Sequence, residues 1–323
     1  MIHSKFIDQL NEWGRKQVPF LFLIDFELEK PRAWQLSEVD SNEILYSFSG
    51  ISNVSDDISI YKDVQIRSFP SPFEEYKRKF DIVYDRLNYG DSFLVNLTMK
   101  SSIELDGSLQ NLFHRAQAKY KFWLRDEFLC YSPETFVQIR NGNIFSYPMK
   151  GTIDASAKGA ERIVLQNKKE LAEHITIVDL IRNDLSQMAS NVSISRFRYL
   201  DKIVTGDRSL LQVSSEIVGD LAPNYLEQLG TILFSLLPAG SVSGAPKRKT
   251  CEIIRTAENE KRGYYTGVFG YFDGQNLDSG VAIRFIEQTE GRTFYRSGGG
   301  ITAQSIDNEE YTEVIRKIYV PVA

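Results

Sequence analysis

The sequence predicts an antiparallel α+β fold built as one packed unit. Three observations carry that expectation. Apolar or alternating segments of strand length come in runs joined by short turns, helical periodicity appears only between those runs, and no stretch rich in Pro, Gly or Ser divides the chain. Regular βαβ alternation, the mark of a parallel sheet, is absent.

Residues 18–25 open the fold as a buried strand, with neighbours at 33–36 and 46–51 near enough in sequence to pair antiparallel. Over 73–89, Phe73, Tyr76, Phe80, Val83 and Leu87 recur at helical spacing, and Gly90 supplies the stop. A strand follows at 92–98, then a short helix at 109–119. Strands at 121–124, 127–131, 135–140 and 143–148 come next, the last two joined by an Asn141-Gly142 turn. The clearest helix spans 168–188, with Leu171, Ile175, Val178, Ile181 and Leu185 in one stripe. Strands at 192–203 and 210–218, helices at 225–236 and 246–258, strands at 264–273, 277–288 and 292–297, and a helix at 308–320 complete the chain.

The 323 residues include 38 Lys and Arg against 43 Asp and Glu, a net charge of −5. Bases spread thinly through a mildly acidic chain give no footprint for nucleic acid. Apolar runs such as 20–24 and 232–237 fall far short of the roughly 20 residues of a membrane span. The N-terminus lacks a signal-peptide pattern. Cys130 and Cys251 make neither a disulfide framework nor a thiolate cluster, so the chain reads as soluble and cytoplasmic. His3, His114 and His174 are too scattered for a histidine metal site. Any metal should be held by carboxylates, which suit Mg2+.

Such carboxylates exist. Glu170 and Glu173 share one face of the 168–188 helix, and Glu310 and Glu313 repeat the spacing on the last helix, with Lys317 one turn further. Alone, glutamates at this spacing make a solvated surface. Two glycine-bearing loops precede helices, at 238–247 and 297–301, and free amides in such loops can bind carboxylate or phosphate. Lys247 ends the first, but the G-x-x-x-x-G-K-[ST] pattern is missing, so ATP is not indicated. His174 reads as a locally bonded helix residue, and the two cysteines as small buried ones.

Taken together, these stretches resemble a known family. Ser132-Pro-Glu134, Pro148-Met-Lys-Gly-Thr152, Lys169-Glu-Leu-Ala-Glu-His174, Val178-Asp-Leu-Ile-Arg-Asn-Asp184, Gly240-Ser-Val-Ser-Gly-Ala-Pro-Lys247, Tyr265-Thr-Gly-Val-Phe-Gly-Tyr271, Ile283-Arg284, Gly298-Gly-Gly-Ile301 and Glu310-Tyr-Thr-Glu313 occur in family order. The chain is similar to the chorismate-utilising enzymes, which include the component I subunits of anthranilate and aminodeoxychorismate synthases and the isochorismate and salicylate synthases. The resemblance implies two packed antiparallel sheets flanked by helices in a single domain. Residues 1–72 would be a shortened N-terminal region packed into the same fold, and 73–323 the chorismate-binding catalytic domain.

The resemblance also implies a site. Chorismate would be held through Mg2+, with Glu173 and Glu313 as direct ligands and Glu170 and Glu310 supporting through water. Arg284, Lys317 and the amides of Gly298, Gly299 and Gly300 would take the other carboxylate, and Gly151, Thr152 and Tyr265 would line the cavity. Isochorismate and salicylate synthases have a lysine base where this chain has Leu94, which cannot take a proton. At the middle of the Pro-x-x-Gly-Thr stretch, anthranilate synthases have alanine and aminodeoxychorismate synthases lysine; here it is Lys150.

The closest resemblance is therefore to aminodeoxychorismate synthase component I. Lys150, if its pKa is lowered, would add to the ring, with Glu134 as general acid. Ammonia would come from a separate glutamine amidotransferase, since no Gly-x-Cys-x-Gly elbow is present, and the product would lead to 4-aminobenzoate and folate. Where most members have a histidine, this chain has Leu211; Gln304 and Ala239 are milder departures. The Leu-Leu-Glu-Ser element is missing, so inhibition by tryptophan is not expected. Anthranilate synthase component I and a non-catalytic chorismate-binding subunit are the alternatives.

Overall fold

The computed structural model describes residues 2–54, 64–205 and 208–321. Two antiparallel sheets, each of nine strands among the described residues, form the centre of a single domain. The first runs Met149–Asp154, Arg208–Leu221, Asn143–Ser146, Thr135–Arg140, Leu277–Val281, Val268–Phe272, Phe20–Ile24 and Arg32–Gln35, with Ala189–Thr205 on the other side of Arg208–Leu221. The second runs Gly244–Ala245, Leu94–Leu105, Arg292–Ile301, Phe285–Thr289, Phe128–Ser132, Tyr120–Leu124, Ile44–Phe48 and Ile51–Ser52, with Ile66–Phe69 also on Leu94–Leu105.

Strand Phe20–Ile24 shows why its residues are all apolar. Phe20, Phe22 and Ile24 pack toward helices with Leu10, Leu229 and Leu233, while Leu21 and Leu23 enter the seam between the sheets with Phe122, Phe128 and Phe269. A strand buried on both faces has no polar face to alternate with. Against the second sheet, helix Phe73–Tyr89 buries Tyr76, Phe80, Val83 and Leu87 and ends on Gly90, whose φ of 90° suits glycine. Residues 2–54 contribute strands to both sheets. Among the described residues no helix is long and apolar enough to cross a membrane.

The expected class holds, and several elements are corrected. Residues 277–288 form two strands in different sheets, parted at Arg284, whose φ is 56°. No Gly or Pro marks that break, because the apolar run continues as the chain crosses the seam. Residues 297–301 are strand, not loop: Gly298, Gly299 and Gly300 pair with Thr98, Leu97 and Asn96. The buried face of helix Lys168–Leu185 carries Glu173 and His174 beside Ile177 and Val178, and Ile175 is exposed. Helices Ile2–Arg15 and Ala160–Gln166 and strand Met149–Asp154 have no counterpart in the sequence expectations.

Among the described residues Arg262 is the largest fully buried side chain. Its guanidinium donates to both oxygens of Glu258, at 2.8 and 2.6 Å, to the carbonyl of Asn96 at 2.7 Å and to that of Val242 at 2.9 Å. Glu258 in turn accepts from the amide and hydroxyl of Thr98. Strand Leu94–Leu105, the 240–243 turn and helix Lys247–Glu258 are thereby joined. Removing one partner of a buried pair leaves an uncompensated charge and costs about 3–5 kcal/mol. Urea unfolding of Arg262→Met should show a loss of that size, and a loss within about 1 kcal/mol would contradict it.

Candidate active site

A cavity of about 170 Å³ lies between strands Leu94–Leu105 and Arg292–Ile301 of the second sheet, strand Met149–Asp154 of the first, and helix Lys168–Leu185. Lys150 enters it from a bulge. The pairing of Met149–Asp154 with Arg208–Leu221 shifts register between Met149 and Thr152, and Gly151 has a φ of 90° there. The bulge breaks the two-residue alternation. Lys150 reaches the wall, whereas Gly151 and Thr152 are not part of it; a Cβ at Gly151 would instead meet Val164 and Glu170.

The four acids stand on two helices, Glu173 alone of them lining the cavity, and lysines hold three of them. Lys150 Nζ is 2.6 Å from Glu173, Lys169 Nζ 3.1 Å from Glu310, and Lys317 Nζ 2.7 Å from Glu313. Lys317 also donates to the carbonyl of Gly298 at 2.8 Å, and Ser305 to Glu310 at 2.7 Å. Gly299 lies beside this cluster, since a Cβ on it would stand in ordinary contact 3.8–3.9 Å from Glu310, Glu313 and Lys317, whereas one on Gly300 would press Leu94 at 3.0 Å. Beyond Arg296 the neighbouring strand Phe285–Thr289 no longer pairs with this segment, so every second amide of 297–301 is outside that ladder.

Burial disfavours charge throughout, and the neighbours decide the outcome. Burial opposes the ammonium of Lys150, but Glu173, Glu170 and Glu313 outweigh it and raise its pKa. This reverses the lowering that a free amine at this position requires. Burial lowers the pKa of Lys317, with Arg284 and Lys150 adding to the effect against Glu313. Glu313 is nonetheless held below the ordinary carboxyl range by Lys317. Burial raises Glu170, and its Oε2 is buried without a hydrogen-bond partner. Oxygen donors with an unsatisfied atom suit a hard cation. Among the described residues, however, no three acidic, His or Cys side chains stand grouped to hold a metal.

Glu134 lines the same cavity from the two-residue link between a strand of each sheet. Burial pushes its carboxyl up, against a hydrogen bond from Ser241 and the charges of Arg284 and Lys317. Tyr265, Arg284 and Lys317 share the wall, with the guanidinium of Arg284 over the ring of Tyr319. Leu94 lines it too, presenting no titratable group.

Other sequence expectations change. Lys247 is taken by Asp184 at 2.7 Å and the carbonyl of Leu236 at 2.9 Å, a structural role. His174 is not bonded locally: its Nε2 is 2.7 Å from Ser215 Oγ on strand Arg208–Leu221. Asn96, Ser241, Thr266 and Ser297 line the cavity unforeseen, the last with a buried hydroxyl lacking a partner. Ser241 lay inside a quoted motif; Asn96 had no signal beyond its strand.

Cations and carboxylates thus share the wall of a cavity sized for a small polar ligand. The chain belongs to the chorismate binding enzyme family, whose model matches residues 56–323, and so to the chorismate-converting enzymes. It is 48% identical over 318 residues to an uncharacterised PabA-like protein of Haemophilus influenzae, covering 98% of this chain and 96% of that one. It is 29% identical over 269 residues to aminodeoxychorismate synthase component 1 of Bacillus subtilis, covering 78% of this chain and 56% of that protein. The crystal structure of anthranilate synthase component I from Streptococcus pneumoniae matches with a TM-score of 0.66 at 26% identity, over 80% of this chain and 59% of that one.

Burial, with Arg198, lowers the pKa of His174 from 6.5 to about 4. The unfolded chain therefore takes up a proton that the fold resists, and stability present above pH 6.5 is lost as pH falls toward about 4. Urea midpoints across that window should fall less steeply in His174→Gln than in the parent. Parallel slopes would reject the assignment.

Proposed function

We propose that this protein is an aminodeoxychorismate synthase component I, converting chorismate and ammonia to 4-amino-4-deoxychorismate. The observation that carries the reading is Lys150 in the cavity wall with Glu134, while Leu94 offers no base to activate water. The neutral amine of Lys150 adds at C2 of the ring, both conjugated ring double bonds shift toward C4, and the C4 hydroxyl takes the proton of Glu134 and leaves as water. Ammonia then attacks C4, both double bonds return, and the C2 bond breaks with its electron pair leaving on Lys150 as the neutral amine. Glu134 accepts the proton of the new ammonium and is restored. Burial raises the pKa of Glu134, the direction that a proton donor requires.

In this reading Glu173 and Glu313 would hold Mg2+, with Glu170 and Glu310 in support, and Arg284, Lys317 and the amides of 298–300 would take the other carboxylate. Bound there, Mg2+ would take up the carboxylate charge that keeps Lys150 protonated, and would anchor a substrate carboxylate. Ammonia is supplied by a separate glutamine amidotransferase subunit, and a lyase releases 4-aminobenzoate for folate.

Purified protein with chorismate, Mg2+ and ammonium should yield aminodeoxychorismate, identified by chromatography before and after adding a lyase. Lys150→Ala should give none, and Glu134→Gln should lower kcat by about 10²–10⁴-fold. Anthranilate as product would move the chain to anthranilate synthase chemistry, absence of turnover to a binding subunit, and full product from Lys150→Ala would overturn the covalent route.

A further inference from the structure

We propose that Ser241 is a positioning residue for Glu134, holding one carboxyl oxygen in the wall so that the acidic proton rides on the other, toward the substrate. The inference rests on the catalytic role given to Glu134 above. The backbone of Glu134 is already fixed: its amide donates to Ser132 Oγ at 3.1 Å, and its carbonyl accepts from the amide of Val281 at 3.1 Å. Its side chain is fixed by the Ser241 hydroxyl, which donates to Oε1. An oxygen that accepts this bond is the poorer place for the proton, so the protonated acid carries it on Oε2.

Ser241 is itself well anchored. It is the second residue of the short Gly240–Ser243 turn, and a Cβ at Gly240 would lie 2.9 Å from Leu180 and 3.2 Å from Asp184, so the turn sits directly on helix Lys168–Leu185. On the far side of the Glu134–Ser241 pair is a second pocket of about 20 Å³, lined in part by Tyr147, Ile181, Leu185 and Ala239. That is room for about one water molecule. The pair is thus a shared wall between this pocket and the substrate cavity. Without the hydroxyl, the carboxyl is free to turn toward the small pocket. The charged groups acting on Glu134 are Arg284 and Lys317. Both favour the carboxylate without fixing which oxygen is protonated, so the neutral donor has a role they do not duplicate.

Ser241→Ala tests this with two readouts. We expect kcat with ammonium to fall about tenfold, the equivalent of about 1.4 kcal/mol, with the chorismate KM within about twofold of the parent. The titration of Glu134, followed by its infrared carboxyl band and assigned by difference from Glu134→Gln, should move to higher pH because a bond favouring the carboxylate is gone. Ser241→Thr, which keeps the hydroxyl, should restore both. Unchanged kcat with an unmoved titration overturns the proposal, as does a raised KM with kcat retained, which marks a substrate-binding residue. If the parent protein makes no product, the functional reading fails. The infrared shift then still decides whether Ser241 holds the carboxyl, and an unmoved band rejects it.

Discussion

One buried guanidinium fastens the cavity from behind. Arg262 is cut off from water, so its donors have to be met by protein, and a charge in low dielectric tolerates little departure from good geometry. The groups that meet them belong to three different segments: Asn96 on a strand of the second sheet, Val242 on the 240–243 turn, and Glu258 at the end of helix Lys247–Glu258. Asn96 and Val242 also line the cavity, as does Thr266, 3.4 Å from the same guanidinium. These walls cannot move apart without stranding a charge. Ser241 borrows its rigidity from the same turn.

On the cavity side the same physics is left unfinished. Lys150, Lys169 and Lys317 each face a glutamate, Glu170 keeps a buried oxygen without a partner, and Glu134, in the cavity wall, is raised by burial. Arg262 is fully satisfied, whereas at the cavity a buried carboxylate oxygen is left over and several titratable groups are shifted, the pattern of a functional site. The chain's net charge of −5 does not decide the local field, which is set by the cations and carboxylates held at the site together.

Much of the scaffold was legible in the chain. Strand Phe20–Ile24 and helix Phe73–Tyr89 follow from periodicity and a terminal glycine, and the spacing of Glu170 with Glu173 and Glu310 with Glu313 puts each pair on one helical face. The misreadings share a cause. Local pattern describes one element at a time, so an apolar run crossing from one sheet to the other at Arg284 looks like a single strand, and a helix whose inner face carries Glu173 and His174 looks turned toward Ile175. A bulge such as that at Gly151 is a mismatch between two strands, and neither strand states it alone.

By itself the sequence determined the fold class, the residue types of the site, and through its motifs the family. Those depend on short-range spacing and on which side chains are present. Only the tertiary structure decided which charges meet: Lys150 with Glu173, Lys169 with Glu310, and Ser241 with Glu134. The protonation of Lys150 depends on that pairing, since burial alone would lower its pKa and the surrounding carboxylates raise it. Distance and desolvation set such energies, and neither exists until segments far apart in the chain are packed together.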